Sequence, residues 1–242
     1  MLFIRSQLAD LIMYLLIAVM GILFAPAAMW SRGGAYWAIK VFCRTYFWVL
    51  RMLCGLKIEI RGEIPQGDVI VASKHMSFLD VLMHAYALPR VKFVMKRQLR
   101  WAPIVGLYGM RIGNAPVARG KKGGAVRQLV KDIQADSSNA GQLVIYPQGT
   151  RVLPGSTKPY KVGAGVLYTR MDKVCVPAAT NTGVFWARRS PYRYPGTAVI
   201  EYLPPIEKGL KLETFMERIE DVVETRSNAL MAEAGFVRTP EA

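Results

Sequence analysis

The chain has 242 residues, 52 % of them apolar, with 32 Lys and Arg against 17 Asp and Glu and a formal net charge of +15. That length suits one large domain or two small ones, and the apolar share exceeds what a soluble domain of this size needs. Apolar excess joined to positive charge points to an anionic membrane surface, anionic substrates or nucleic acid, while three cysteines without C-x-x-C or metal-like spacing (Cys43, Cys54 and Cys175) argue against redox work and suit a reducing compartment.

Residues 11–30, LIMYLLIAVMGILFAPAAMW, carry no charge. A helix of that length reaches about 30 Å, the thickness of a bilayer core. A signal peptide is the competing reading, because Ala25-Pro26-Ala27 resembles a cleavage site. Against it, Arg5 alone precedes the run, whereas Arg32, Lys40, Arg44 and Arg51 follow it, which favours keeping the C-terminal side in the cytoplasm. A buried helix of a soluble protein fits the same run. Residues 35–56 predict a second, amphipathic helix, with Tyr36, Trp37, Phe42, Tyr46, Phe47 and Trp48 interleaved with Lys40, Arg44 and Arg51. Aromatics at headgroup depth and cations towards lipid phosphates suit an interfacial helix. Residues 1–56 thus read as a two-helix membrane anchor.

From residue 57 strands alternate with helices. Strands are predicted at 57–61, 69–72, 92–95, 112–117, 143–146, 174–179 and 198–202, and a helix at 123–133. The alternation implies an α/β fold, a mostly parallel sheet flanked by helices. A last helix is predicted to open on a capping box, Thr214 with Glu217, and to close at Gly235; core packing accounts for its stripe of Phe215, Ile219, Val222, Val223 and Leu230.

The stretch DVIVASKHMSFLDVLMHAYAL, residues 68–88, carries the chemistry. The apolar run 69–72 is a buried strand, and Phe78, Leu79, Val81, Leu82 and Ala85 then recur at helical spacing. His75 therefore falls on a strand-to-helix turn and Asp80 in the helix after it. A carboxylate bonded to one ring nitrogen fixes the tautomer and leaves the other nitrogen free to take a proton. Two other readings fit: a turn histidine beside a helix-start aspartate that favours the helix dipole, and a metal site of His75, Asp80 and His84.

Between Val81 and Lys131 there are eleven Lys or Arg and no acid, and from Ser137 to Ile200 eight more against Asp172 alone. For Lys92, Lys96, Arg97 and Arg100 a solvated face or membrane attraction accounts for the charge. Arg119 precedes a Gly120-Lys121-Lys122-Gly123-Gly124 run and a helix start, which suits a phosphate. Arg151 ends Tyr146-Pro147-Gln148-Gly149-Thr150-Arg151 directly after a buried strand, where glycine admits close backbone approach, threonine a hydroxyl and arginine a planar fork. No base-stacking or groove-reading module is present, so nucleic acid is not expected as a partner.

Four blocks occur in order, KHMSFLD (74–80), GNAPVAR (113–119), YPQGTR (146–151) and VPAATN (176–181). Together they resemble the 1-acylglycerol-3-phosphate acyltransferase family, the phospholipid and glycerolipid acyltransferases, over about residues 57–205. The resemblance makes 57–242 an acyltransferase domain behind the anchor, with His75 as base and Asp80 as its partner. It implies that Arg119 and the Gly149-Thr150-Arg151 turn hold the acceptor's phosphate, with Gln148 and Lys121 beside them, and that Pro177 lies near the acyl group. Two departures stand out: Gln148 where the family usually has Glu, and Ala118 where it usually has Asp.

The expected reaction is acyl transfer from coenzyme A or acyl carrier protein to the 2-hydroxyl of lysophosphatidate, giving phosphatidate for phospholipid biosynthesis. No cofactor or metal is expected, and the place is the cytoplasmic face of a membrane, the inner membrane if the source is bacterial. With no G-x-S-x-G elbow and no nearby Cys, direct attack is expected rather than an acyl-enzyme, Ser77 being the one candidate nucleophile. The alternatives are another lysolipid acceptor, such as a lyso-amino-acid lipid, and a non-catalytic membrane-binding protein of the same fold.

Overall fold

A computed structural model describes residues 1–117, 128–131, 133 and 140–236. Three helices come first, α1 (Leu2–Leu23), α2 (Ala25–Trp30) and α3 (Arg32–Cys54). There follow β1 (Leu56–Arg61), β2 (Ile70–Ser73), α4 (Leu79–Ala87), β3 (Val91–Lys96), a 3₁₀ turn over Arg97–Trp101, α5 (Val105–Arg111), β4 (Ala115–Val117) and β5 (Gln142–Ile145). The chain goes on through α6 (Gly163–Met171), β6 (Cys175–Thr180), the short α7 (Thr182–Phe185), β7 (Gly196–Tyr202) and α8 (Leu212–Glu233). The seven strands form one sheet in the order β1-β7-β6-β2-β5-β3-β4. Every pairing is parallel except β6 with β7. The expected α/β fold is therefore observed, with an antiparallel reversal that the strand pattern alone does not encode.

Period-two alternation splits the core in two. Val71, Val144 and Val176 face a cluster with α3 and α4. Ile70, Ala72, Leu143 and Ile145 face the opposite cluster, against Tyr168 of α6 and Phe215, Ile219 and Val223 of α8. Both faces of the central strands are covered, which is why β2 and β5 read as unbroken apolar runs.

The N-terminus differs from expectation in two ways. The uncharged run 11–30 is not one helix: α1 starts at Leu2 and stops at Leu23, and Pro26 sits in the first turn of a separate α2, where its missing N–H costs no helical bond. The second expected anchor helix belongs to the core. Tyr46 and Leu50 of α3 are wholly buried, packed with Leu79 of α4 and Val71 of β2. An amphipathic stripe obeys the same periodicity whether lipid or protein covers it, and here protein covers most of it; Trp37 and Trp48 stay exposed.

Helix α1 is long and apolar enough to cross a membrane, yet it is attached to the rest of the chain along one stripe. Ser6, Ala9 and Met13 are buried. Asp10 accepts two bonds from Nη2 of Arg193, at 2.7 and 2.6 Å, and the Ser6 hydroxyl accepts the Arg193 backbone N–H at 2.9 Å. The guanidinium lies 4.0 Å over the Trp186 ring. The last helix also starts earlier than expected: Lys211, not Thr214, is its N-cap residue, and no side chain caps it. Its end is as expected, since Gly235 has φ +76° and Phe236 N–H reaches back to the Met231 carbonyl at 3.0 Å.

Removing Asp10 leaves the buried Arg193 guanidinium with two backbone carbonyls and the Trp186 ring but without that carboxylate. Asp10→Ala is expected to destabilise the detergent-solubilised protein by about 2 kcal/mol, below the cost of a fully buried pair because Asp10 is partly exposed. Thermal or denaturant unfolding of the variant against the wild type checks this.

Candidate active site

The parallel strands β2, β5 and β6 are neighbours, so the turns after them meet at one edge of the sheet, the usual place for a ligand in such folds. The turn after β2 bears His75, that after β5 bears residues 146–151, and that after β6 bears Asn181 and Thr182.

His75 Nδ1 lies 3.0 Å from Oδ1 of Asp80. The second carboxylate oxygen accepts the backbone N–H groups of Met76 and Ser77, both at 2.8 Å, with the Thr182 hydroxyl at 3.5 Å. Asp80 is wholly buried. Burial pushes its carboxyl up, but the charge and hydrogen bond of His75 and the two backbone donors outweigh burial and hold it below the usual carboxylate range. An ionised Asp80 fixes the proton of the neutral imidazole on Nδ1. Nε2 is then a lone-pair acceptor, and among the described residues no side chain hydrogen-bonds it. The imidazole is partly open, 16 % exposed, and the Tyr146 ring stacks on it at 4.0 Å between centroids and 18° between planes.

The second turn is tied to the first through the backbone, since Val152 N–H donates to the His75 carbonyl at 2.8 Å. Gly149 closes the turn with φ +68°, donating to the Tyr146 carbonyl at 2.8 Å; only glycine adopts that region freely. A Cβ there would come within 2.7 Å of Lys161 Nζ, so the Lys161 ammonium rests against the turn. Arg188 Nη1 reaches the Thr150 hydroxyl at 3.5 Å. Arg151 is partly exposed and forms no ion pair among the described residues. Three cations, Arg151, Lys161 and Arg188, thus lie at the Gly149-Thr150 turn, within one backbone hydrogen bond of the His75 segment.

Sequence reasoning and geometry agree in bringing together His75, Asp80, Gly149, Thr150 and Arg151. Arg119 and Lys121 lie outside the described residues. Gln148 is wholly buried, its side chain turned inward to Glu224 of α8 at 3.2 Å. Pro177 sits within β6, in register with Ala72. Ser77 is buried, and its hydroxyl accepts the Leu79 N–H at 3.0 Å at the start of α4. His84 spends both ring nitrogens on hydroxyls rather than on Asp80 or His75: Nδ1 is 3.0 Å from the Tyr202 hydroxyl and Nε2 3.0 Å from the Ser73 hydroxyl. Among the described residues no group of three His, Cys, Asp or Glu is placed to hold a metal ion.

Lys161, Arg188, Tyr146 as a stacking partner and Glu224 were not legible as site residues. Tyr146 lies in a recognised block, but nothing in its spacing says that its ring meets His75. The two cations carry no local signal.

Beside the polar edge lies an apolar cavity of about 200 Å³ between α1, α3, α4 and α5. Phe78, Val81 and Leu82, from the same helical turns as Asp80, form one wall, and Leu16, Ile17 and Phe42 the other.

The acyltransferase family model matches residues 56–181. A 1-acyl-sn-glycerol-3-phosphate acyltransferase from Pseudomonas aeruginosa is 26 % identical over 161 residues, covering 66 % of this chain and 63 % of the relative. The alpha form of that enzyme from Bos taurus is 29 % identical over 168 residues, covering 67 % and 58 %. The match therefore spans less than two thirds of these relatives' own lengths. The crystal structure of the 1-acyl-sn-glycerophosphate (LPA) acyltransferase from Thermotoga maritima superposes with a TM-score of 0.80, covering 96 % of this chain and 98 % of the other at 19 % identity, a likeness of fold.

Burial holds His84 neutral down to about pH 4, against an upward pull from Asp80 and with a downward push from His75. In the unfolded chain a histidine takes its proton near pH 6.5. The unfolded state therefore binds more protons between those values, and stability present above pH 6.5 is lost as pH falls towards 4. The loss attributable to His84 is about 2 kcal/mol by pH 5. Asp80, with its lowered value, adds a loss only at more acid pH. Denaturant titrations at pH 7 and pH 5 are expected to show this difference, and His84→Gln is expected to flatten it even if it lowers stability throughout.

Proposed function

The chain belongs to the acyltransferase family, and we propose that it transfers an acyl group from an acyl thioester to the 2-hydroxyl of 1-acylglycerol 3-phosphate, giving phosphatidate. The observation that carries this reading is the pairing of a base with an anion grip: His75, oriented by a buried carboxylate and free at Nε2, hydrogen-bonded through its own backbone to the turn that bears Arg151. The names of the two curated relatives support the same acceptor.

Nε2 of His75 takes the proton of the glycerol 2-hydroxyl as its oxygen attacks the thioester carbonyl. The tetrahedral intermediate collapses with loss of the C–S bond, and the imidazolium returns the proton to the departing thiolate. Asp80 holds the ring in the required tautomer and stabilises the imidazolium. Arg151, with Lys161 and Arg188 beside it and with Arg119 and Lys121 as further candidates, binds the phosphate. The apolar cavity beside α4 accepts an acyl chain. The donor is acyl-coenzyme A or acyl carrier protein, and holding both substrates at a bilayer surface supplies much of the remaining acceleration.

The same reading puts the protein on a membrane, at its cytoplasmic face. Leu11, Leu15, Val19 and Ile22 point outward from α1, and Trp30 and Trp101 are more than three-quarters exposed. A contiguous apolar surface of this kind inserts, and insertion resists salt where charge attraction does not. Protein in isolated membranes is expected to stay bound through a high-salt wash and to be released by detergent; release by salt alone would overturn membrane insertion.

With purified protein in detergent, acyl thioester is expected to be consumed only when lysophosphatidate is present. His75→Ala is expected to lose about 10²–10⁴-fold in rate, and Asp80→Asn to keep residual activity. Arg151→Ala is expected to raise KM for lysophosphatidate more than tenfold, since a charge-assisted bond contributes about 1.5–3 kcal/mol, with KM for the thioester within a few-fold. Arg151→Lys restores this only in part, lacking the planar fork. A His75→Ala protein that keeps a tenth of wild-type activity would sink the mechanism.

A further inference from the structure

The base and the phosphate turn share a second connection, on the sheet face covered by α8. Lys74, the residue before His75, is 1 % exposed. Its Nζ meets Oε2 of Glu224 at 2.5 Å. Oε1 of the same carboxylate accepts Nε2 of Gln148 at 3.2 Å and the Tyr160 hydroxyl at 3.1 Å. Gln148 precedes Gly149, is itself wholly buried, and has an Oε1 without a hydrogen-bond partner among the described residues. One carboxylate therefore touches the residue before the base, the residue before the phosphate turn, and the tyrosine that precedes Lys161.

An ammonium buried to this degree is tolerated only with a counter-charge. Position 148, which reaches the same spot, carries an amide. The carboxylate comes instead from the middle of α8, beyond residues 56–181 that the family model matches. We infer that Glu224 supplies, from the C-terminal helix, the counter-charge to Lys74 that residue 148 does not carry, and that this bridge sets the separation of His75 from Arg151. Glu224 is a positioning residue for the transfer; it touches neither substrate. This rests on the function proposed above for its kinetic part, and on packing alone for its electrostatic part.

A charge exchange tests it. Glu224→Gln leaves Lys74 unpaired, and Gln148→Glu sets two carboxylates against one ammonium. Each single variant is expected to lose at least tenfold in kcat per folded molecule, with KM for acyl thioester within threefold. The double variant Gln148→Glu/Glu224→Gln moves the carboxylate across a 3.2 Å contact and is expected to recover kcat to within about threefold of wild type, and to melt above both singles. Where a single variant does not fold, the exchange alone decides: folded and active supports the inference, unfolded or inactive overturns it. An exchange no better than the worse single, or singles with wild-type kcat per folded molecule, overturns it as well. Wild-type protein inactive on lysophosphatidate would overturn the function proposed above and not the counter-charge, which the four melting temperatures then decide: recovery in the exchange supports it, and no recovery overturns it.

Discussion

A carboxylate without access to water organises the centre of this molecule. Withdrawing Asp80 from solvent costs several kcal/mol, and the fold offsets that cost with two backbone N–H groups and an imidazole, each bond to a charged group contributing about 1.5–3 kcal/mol. Met76 and Ser77 can both point at Oδ2 only if the chain turns sharply after Ser73 and enters α4 within five residues. The buried charge thus dictates the turn, the start of the helix and the direction of the His75 ring together. Alternation in β2 adds the rest: Val71 is committed to one core and Ile70 and Ala72 to the other, so the strand cannot slip by one residue without turning both sets over.

The edge where this happens follows from the parallel arrangement. β2 lies between β5 and β6, so three turns emerge side by side without any long loop. The Val152 to His75 backbone bond ties the arginine turn to the His75 segment, alongside the side-chain bridge of Lys74 to Glu224. The cations are held differently. Arg151 has no ion-pair partner among the described residues, and Lys161 and Arg188 lean on glycine and threonine rather than on acids. A positive field left uncompensated by the protein is one that an anion can neutralise.

What the sequence disclosed is what local chemistry controls. The strand-turn-helix around His75 was legible because a short unbroken apolar run gives way to apolar residues at 3.6 spacing within ten residues, and the Gly149 turn because few residues other than glycine adopt its φ. The strand positions match to within a residue or two except for the strand expected at 112–117, which begins only at Ala115 because Ile112 closes α5, and the α/β class matches with them. The role of α3 was not legible, since Tyr46 and Leu50 mark an apolar face without saying whether lipid or a sheet lies against it. Helix α6, with glycines at 163 and 165, and the reversal of β7 depend on tertiary contacts that no short window contains. Glu224 is the plainest case: it is one of several acids on an ordinary amphipathic helix, 150 positions from the lysine it pairs with, and only the fold reveals that this lysine is buried.

The N-terminal helix brings the same logic to the membrane side. α1 presents apolar residues outward, yet it keeps Asp10 and Ser6 inward, where Arg193 takes both. A helix meant only to sit in lipid gains nothing from an inward carboxylate, which there would be a cost; a helix that must hold a set position against the domain gains a specific clamp. The clamp has consequences at the site because of where it attaches. Arg193 lies in the segment that also carries Trp186 and Arg188, and Arg188 reaches Thr150 of the Gly149 turn. Leu16 and Ile17, on the same helix, form one wall of the apolar cavity whose other wall is α4 with Asp80. A shift of α1 would therefore change the cavity and the Gly149-Thr150-Arg151 turn together, and misplacement of about 1 Å at a catalytic site can cost 10²-fold in rate. The helix is thus a wall of the cavity beside the candidate site, and its inward stripe combines the polar clamp of Ser6 and Asp10 with the apolar lining of Leu16 and Ile17.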